Sequence, residues 1–321
     1  MSDSIAADAS TAASLPPSIA AGAEAVGCLI ALLVAAGLFK SFTVSSVRAV
    51  GSTDTTLLDL FGGAAQVAGI FAAFIILYAR RLRPAAHTWL HASWQVMRSF
   101  VHASLPVVPS MGATTLMIYN AVFVALAYWR GGSSFHERLL ACSSQGPLLW
   151  SPLIEEILFR GAIFWVALHR ARGDAKIAML VSTCAFAAIH IPLVLSARVH
   201  MGYVALQVIA AASLGGVWSS ILAANGKLFE VFLLHIANNI AGTAWIALVG
   251  AEEGAVGAAA CDHTIPAEQW LRSVGAASLI LQIALASSIA ASSWLQISNG
   301  GTKKLINTHP MVFFGDEDKG A

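Results

Sequence analysis

The chain has 321 residues, of which 57% are hydrophobic and 11% charged, and 18 Lys and Arg against 17 Asp and Glu leave a formal net charge of +1. A soluble domain carries about 25% charged residues. Composition this apolar excludes disorder, and the lack of a basic excess argues against a nucleic-acid partner. The missing charged skin must be replaced by lipid, so the chain reads as a polytopic membrane protein.

Residues 1–21 are rich in Ala, Ser and Pro and hold Asp3 and Asp8 but no Lys or Arg. A secretory signal needs a positive n-region, so this stretch is expected to be a flexible tail before a retained helix. Eight apolar stretches follow, at about 22–42, 57–78, 111–129, 148–169, 176–197, 201–222, 228–250 and 273–295, each near the ~20 residues that cross a bilayer. They lack the two-residue alternation of barrel strands, and open backbone cannot face lipid, so each is expected to be a helix. The adjacent Gly215 and Gly216 in the sixth stretch read as close helix packing rather than a break. Between the second and third, residues 79–110 mix Arg80, Arg81, Arg83 and Arg98 with Trp89, Trp94 and Phe100, which suggests an interfacial helix. His87 and His91 there read as interfacial polar residues. Cys28, Cys142, Cys184 and Cys261 show neither metal nor redox spacing and read as small buried hydrophobes. The expected fold is an all-α bundle of about eight transmembrane helices spanning residues 22–295, with a polar tail at 296–321.

Eight spans place both termini on one side. That side gathers eleven Lys and Arg residues, Arg80, Arg170 and Lys304 among them, against six on the other. The positive-inside rule then puts both termini in the cytosol.

The fourth stretch breaks the apolar pattern. It reads Ser151-Pro-Leu-Ile-Glu155-Glu156-Ile-Leu-Phe-Arg160-Gly161. Each ionisable residue near a helix centre costs about 2.5–3.5 kcal/mol on insertion scales, so this helix needs polar partners from the bundle. Glu156 and Arg160 are four apart and can pair on one face. Glu155 is turned about 100° away, has no such partner, and is free to face a cavity. The fifth stretch carries Phe186 and His190 four apart, and the seventh carries His235 and Asn239 four apart, with Asn238 expected to point elsewhere. Glu155 has the chemistry of a general base, His190 can share a water with it, and His235 and the Asn239 amide are donors suited to an oxyanion. The assigned spans put Glu155 and His190 nearer the outer half of the bilayer and His235 nearer the inner half.

Together the three motifs, Glu155-Glu156-xxx-Arg160, Phe186-xxx-His190 and His235-xxx-Asn239, resemble the CAAX-prenyl-protease and bacteriocin-processing family of intramembrane endopeptidases, which includes the type II CAAX prenyl proteases. The resemblance covers about residues 148–242. It implies a cavity inside the bilayer, water activation by Glu155 with His190, oxyanion stabilisation by His235 and Asn239, and a site held in shape by Glu156 and Arg160. It further implies membrane lipid as surroundings and a lipidated or membrane-associated peptide as substrate. The prenyl branch removes the last three residues after a lipidated cysteine. That branch implies the endoplasmic reticulum, and a bacterial member implies the plasma membrane. No cofactor is expected.

Two alternatives use the same residues. Glu155, His190 and His235 form the ligand set of many zinc hydrolases, which would make the chain a membrane metalloprotease. Alternatively the polar cluster serves helix association in a scaffold or immunity-type protein.

Overall fold

The computed structural model describes residues 16–49, 51, 54–78, 111–131, 135–137, 139, 146–191, 201–226, 228–252 and 274–297. The segment 79–110 with His87 and His91, most of both tails, Cys142 and Cys261 lie outside the described residues.

Among the described residues all regular structure is helical. Helix α1 is Pro17–Ala49, α2 is Thr55–Tyr78 and α3 is Met111–Gly131. Helix α4 runs without a break over residues 146–170: a π-helical turn at Gly146–Trp150, an α-helical turn at Ser151–Glu156, a second π-helical stretch at Ile157–Ile163 and an α-helical end at Phe164–Arg170. Helices α5 (Ala175–Ala188), α6 (Met201–Asn225), α7 (Leu228–Glu252) and α8 (Val274–Gln296) complete the order.

Each apolar stretch read from the sequence thus contains a helix. Five helices, α1, α2, α3, α6 and α8, are long and apolar enough to cross a membrane, and α5 and the first part of α7 are shorter apolar helices. The chain is a polytopic helical membrane bundle. Helix α1 begins at Pro17, inside the stretch expected to be tail; proline suits a first turn because the amide it lacks would have no helical partner there. The 33 residues of α1 span about 50 Å at 1.5 Å per residue, more than the ~30 Å hydrocarbon core, so α1 tilts or projects.

Large apolar side chains face outward along the bundle, among them Leu38, Phe42, Ile76, Ile118, Leu126 and Leu281. In lipid this is the stable arrangement. Cys28 is buried as expected, but Cys184 is exposed on the outer face of α5. The interior is organised around α4, where every residue from 157 to 168 except Gly161 is buried. Helix α1 packs on α2 and on the end of α4, where Arg170 donates to Glu24. Helix α5 lies between α4 and α6, α6 packs on α8, and α7 packs on α3.

Two tight turns set the height of the polar residues. Helix α4 ends in a left-handed cap: Gly173 N–H bonds Leu168 O at 2.8 Å and Arg172 N–H bonds His169 O at 3.0 Å, with φ of +54° at Arg172 and +88° at Gly173. Asp174 then caps α5 by accepting from the amides of Lys176 and Ile177 at 2.9 and 3.2 Å. With so short a turn, residues equally far from it meet. Phe159 lies eleven before Arg170 and Phe186 eleven after Ala175, and their rings pack edge to face at 5.3 Å. The turn at Gly226 does the same for α6 and α7 (φ +70°). Trp218, seven before Asn225, stacks on His235, seven after Leu228.

Candidate active site

The polar residues of α4 and α7 converge. Glu156 and Arg160 pair as their spacing predicts, at 3.3 Å, both fully buried. A buried guanidinium is costly unless its donors and charge are satisfied. Arg160 has three partners: Glu156, the Gly215 carbonyl at 3.3 Å, and an aromatic clamp in which its Cζ lies 4.3 Å from the Phe186 ring and 5.1 Å from the Trp218 ring. Gly215 makes that contact close. A Cβ there would stand 3.2 Å from Arg160 Nη2 and 3.2 Å from Phe186 Cδ1. The glycine pair on unbroken α6 is therefore a packing feature, as expected; Gly216 fits the same reading, since its Cβ would stand 3.2 Å from Ala290 on α8.

His235 sits between the two glutamates. Its Nδ1 lies 2.7 Å from Glu156 Oε1 and its Nε2 lies 3.6 Å from Glu155 Oε2. With Glu156 as the carboxylate partner of Arg160, Nδ1–H donates and the ring orientation is fixed. Nε2 then presents a lone pair when the ring is neutral, or a second N–H when it is protonated. Trp218 holds the ring from its other side, stacked at 4.3 Å and 24°.

This contact corrects the expected difference in height. Helix α7 starts deep, since Leu228 packs against Gly161, nine residues short of the end of α4. His235 thereby reaches the level of both glutamates. Asn239 follows one turn further along α7 and is half-buried. Asn238 does point elsewhere: its Oδ1 accepts from Gln282 Nε2 at 2.6 Å, and the same amide reaches Asn120 Oδ1 at 3.3 Å.

Glu155 differs from Glu156 in access. Its side chain keeps 19% exposure against 0% for Glu156, so of the two carboxylates it alone can meet a water or a peptide from outside the network. It also has a partner that the sequence reading missed, because the hydroxyl of Ser151, one turn earlier, donates to Glu155 Oε1.

His190 is not hydrogen-bonded to Glu155. Its Nδ1 lies 2.8 Å from Phe186 O and its ring packs at 4.8 Å on the Phe186 ring. A carbonyl only accepts, so Nδ1 carries the proton and a neutral ring offers Nε2 as an acceptor. Glu155 lies fifteen residues before Arg170 and His190 fifteen after Ala175, so the turn puts them at one level. Phe186, also 5.9 Å from the His235 ring, is the wall that both histidines share.

The zinc alternative needs Glu155, His190 and His235 on one ion. Among the described residues no three His, Cys, Asp or Glu side chains come together in that way. His190 and His235 engage Nδ1 with a backbone carbonyl and with Glu156, a pattern that metal-bound histidines also show, and these bonds leave both Nε2 atoms for another partner; no step below is routed through a metal, and the chelation experiment below tests the zinc reading.

Beyond the expected residues, the structure adds Ser151, Gly215 and Trp218. Sequence spacing offered a signal for two of them, since Gly215 and Trp218 are three apart and share a face of α6. The comparisons with curated proteins and with solved structures gave no match. Residues 138–241, the region that carries all three motifs, match the family model for type II CAAX prenyl endopeptidase Rce1-like proteins, so that region is similar to this family.

Proposed function

We propose that the protein is an intramembrane endopeptidase that hydrolyses a peptide bond with Glu155 as general base. The observation that carries this reading is the placement of a partly accessible glutamate beside His235, inside a helical membrane bundle and within the family-matched region. A scaffold would need the buried Glu156–Arg160 pair but would have no use for an accessible second carboxylate at the same level as two histidines.

In the proposed reaction a water lies between Glu155 and the Nε2 of His190. Glu155 takes one proton as the water oxygen attacks the scissile carbonyl carbon. The carbonyl oxygen becomes an oxyanion, stabilised by the Asn239 amide and by His235, which donates from Nε2–H in its protonated form while Nδ1–H stays on Glu156. The C–N bond then breaks, and the proton held by Glu155 passes to the departing amine. The products are a free peptide amine and a new carboxylic acid, which releases the water's second proton to solvent as it ionises. Glu156 acts through His235, whose ring it orients. The 3.6 Å separation of His235 and Glu155 is longer than a hydrogen bond, as catalytic contacts often are before substrate closes them.

The substrate is proposed to be a lipidated or membrane-associated peptide, of which a prenylated C-terminal CAAX sequence is the first to test. A lipid tail can reach the site through the bilayer while the peptide enters from the aqueous side. Both termini are proposed to be cytosolic.

The test uses a farnesylated CAAX peptide and purified protein in detergent. Removal of the C-terminal tripeptide by the parent, lost in Glu155→Gln and in His190→Ala while both variants stay folded, is the expected result. Cleavage that survives Glu155→Gln would contradict the mechanism. Loss of activity on chelation, restored by stoichiometric zinc, would favour the metal reading instead.

A further inference from the structure

We infer that Ser151 is a positioning residue for Glu155: its hydroxyl holds one carboxylate oxygen so that the other is presented to His235 and the reacting water. This rests on the reading of Glu155 as the base.

The Ser151 hydroxyl differs from five others in these helices. A serine or threonine within a helix commonly turns back to the carbonyl four residues earlier. Ser46, Thr115, Ser213, Thr243 and Ser288 all do so, bonding the carbonyls of Phe42, Met111, Ile209, Asn239 and Ala284 at 2.8–2.9 Å. Ser151 instead donates forward, to Glu155 Oε1. The π-helical turn at Gly146–Trp150 ends immediately before Ser151. The α-helical turn Ser151–Glu156 then spaces Ser151 and Glu155 one turn apart on a single face, and a second π-helical stretch begins at Ile157. π-turns inside helices recur at functional sites. Here they frame the one turn that holds the serine and both glutamates.

The consequence is an assigned division of labour within one carboxylate. Oε1 is occupied by Ser151, and Oε2 faces His235 Nε2 at 3.6 Å. Without the hydroxyl, Glu155 keeps its charge but gains rotational freedom about its terminal torsion, which is broad and two-fold by nature. Ser151 bears on the orientation of the base and not on peptide binding.

Two readouts test this on the full-length protein in detergent. The first is steady-state hydrolysis of the farnesylated CAAX peptide. Ser151→Ala should lower kcat about tenfold, the size expected for one hydrogen bond to a charged group, with KM and the unfolding temperature unchanged. Ser151→Thr, which restores a hydroxyl, should recover most of the loss. The second needs no substrate: labelling of Glu155 by a hydrophobic carbodiimide, mapped by peptide mass spectrometry. Ser151→Ala should label several-fold faster than the parent, and Ser151→Thr at the parent rate.

Equal labelling of all three proteins would overturn the proposal, as would an unchanged kcat in Ser151→Ala or a loss confined to KM. A covalent adduct trapped on Ser151 during turnover would also overturn it, by making the serine a nucleophile. If the parent does not cleave the peptide, the functional reading fails on that substrate, and the labelling rates still decide the role of Ser151.

Discussion

Two neighbouring glutamates on one helix do different work because 100° of helical rotation separates them. Glu156 points into the bundle and is neutralised by Arg160, and Glu155 keeps its access. Substitutions should separate these roles. Arg160→Ala leaves Glu156 buried without its cation, which costs about 3–5 kcal/mol for a pair of this kind, so the variant should unfold at markedly lower temperature in detergent. Arg160→Lys keeps the charge but loses the planar stack on Phe186 and Trp218, and should fall between. Glu155→Gln should unfold like the parent. A fall for Glu155→Gln as deep as that for Arg160→Ala would contradict the assignment. The Glu156–Arg160 pair and the turn of Asn238 away from His235 were legible from spacing, because four-residue neighbours share a face and adjacent residues do not. The bond from Ser151 was not legible, because a helical serine has a nearer choice in the backbone.

Helix geometry explains how residues distant in sequence reach one level. The α4–α5 and α6–α7 turns are short, so each hairpin brings together residues equidistant from its turn. A sequence shows turn length, so the level of Glu155 with His190 and of Trp218 with His235 can be counted. What it does not show is how far one hairpin slides along another. The expected difference in depth between Glu155 and His235 failed at that step, because α7 begins against Gly161 rather than at the end of α4. The close approach of α6 to α5 and to the Arg160 side chain at Gly215 is the contact to test. Gly215→Val places two methyl groups against Arg160 and Phe186 and should destabilise by about 1–3 kcal/mol, as overpacking does. Gly242→Ala, with nothing within 4 Å of the new Cβ and a place inside α7 where alanine favours the helix by about 0.5–1 kcal/mol, should not destabilise. Equal unfolding temperatures for the two variants would mean that α6 does not pack on Arg160 as described. A second contact joins α8 to the bundle through Gln282, Asn120 and Asn238. Gln282→Leu leaves both asparagine carbonyls without that donor and should cost about 1–3 kcal/mol. A double-mutant cycle with Asn238→Ala would show the coupling, and strictly additive losses would exclude it.

At the scale of the molecule, composition alone was decisive. A chain with 57% hydrophobic and 11% charged residues has only lipid to face, and each of its eight apolar stretches contains a helix. Lengths were less legible. Residues 192–197 of the fifth expected stretch lie outside the described residues, and α4 carries π-helical turns that composition does not encode. The proposed orientation makes its own prediction: reporter tags at both termini of the protein in sealed membranes should be accessible from the cytosolic side. A tag protected at either end would contradict the charge-based assignment and move the peptide entrance to the other face.

The central claim is that Glu155 activates water for peptide hydrolysis within the membrane. Its most direct test is turnover of the farnesylated CAAX peptide by the purified parent beside Glu155→Gln, with the unfolding temperature of both measured in the same detergent. Tripeptide release by the parent, none above background by the variant, and matching unfolding temperatures are expected. Cleavage by both proteins at similar rates would contradict it.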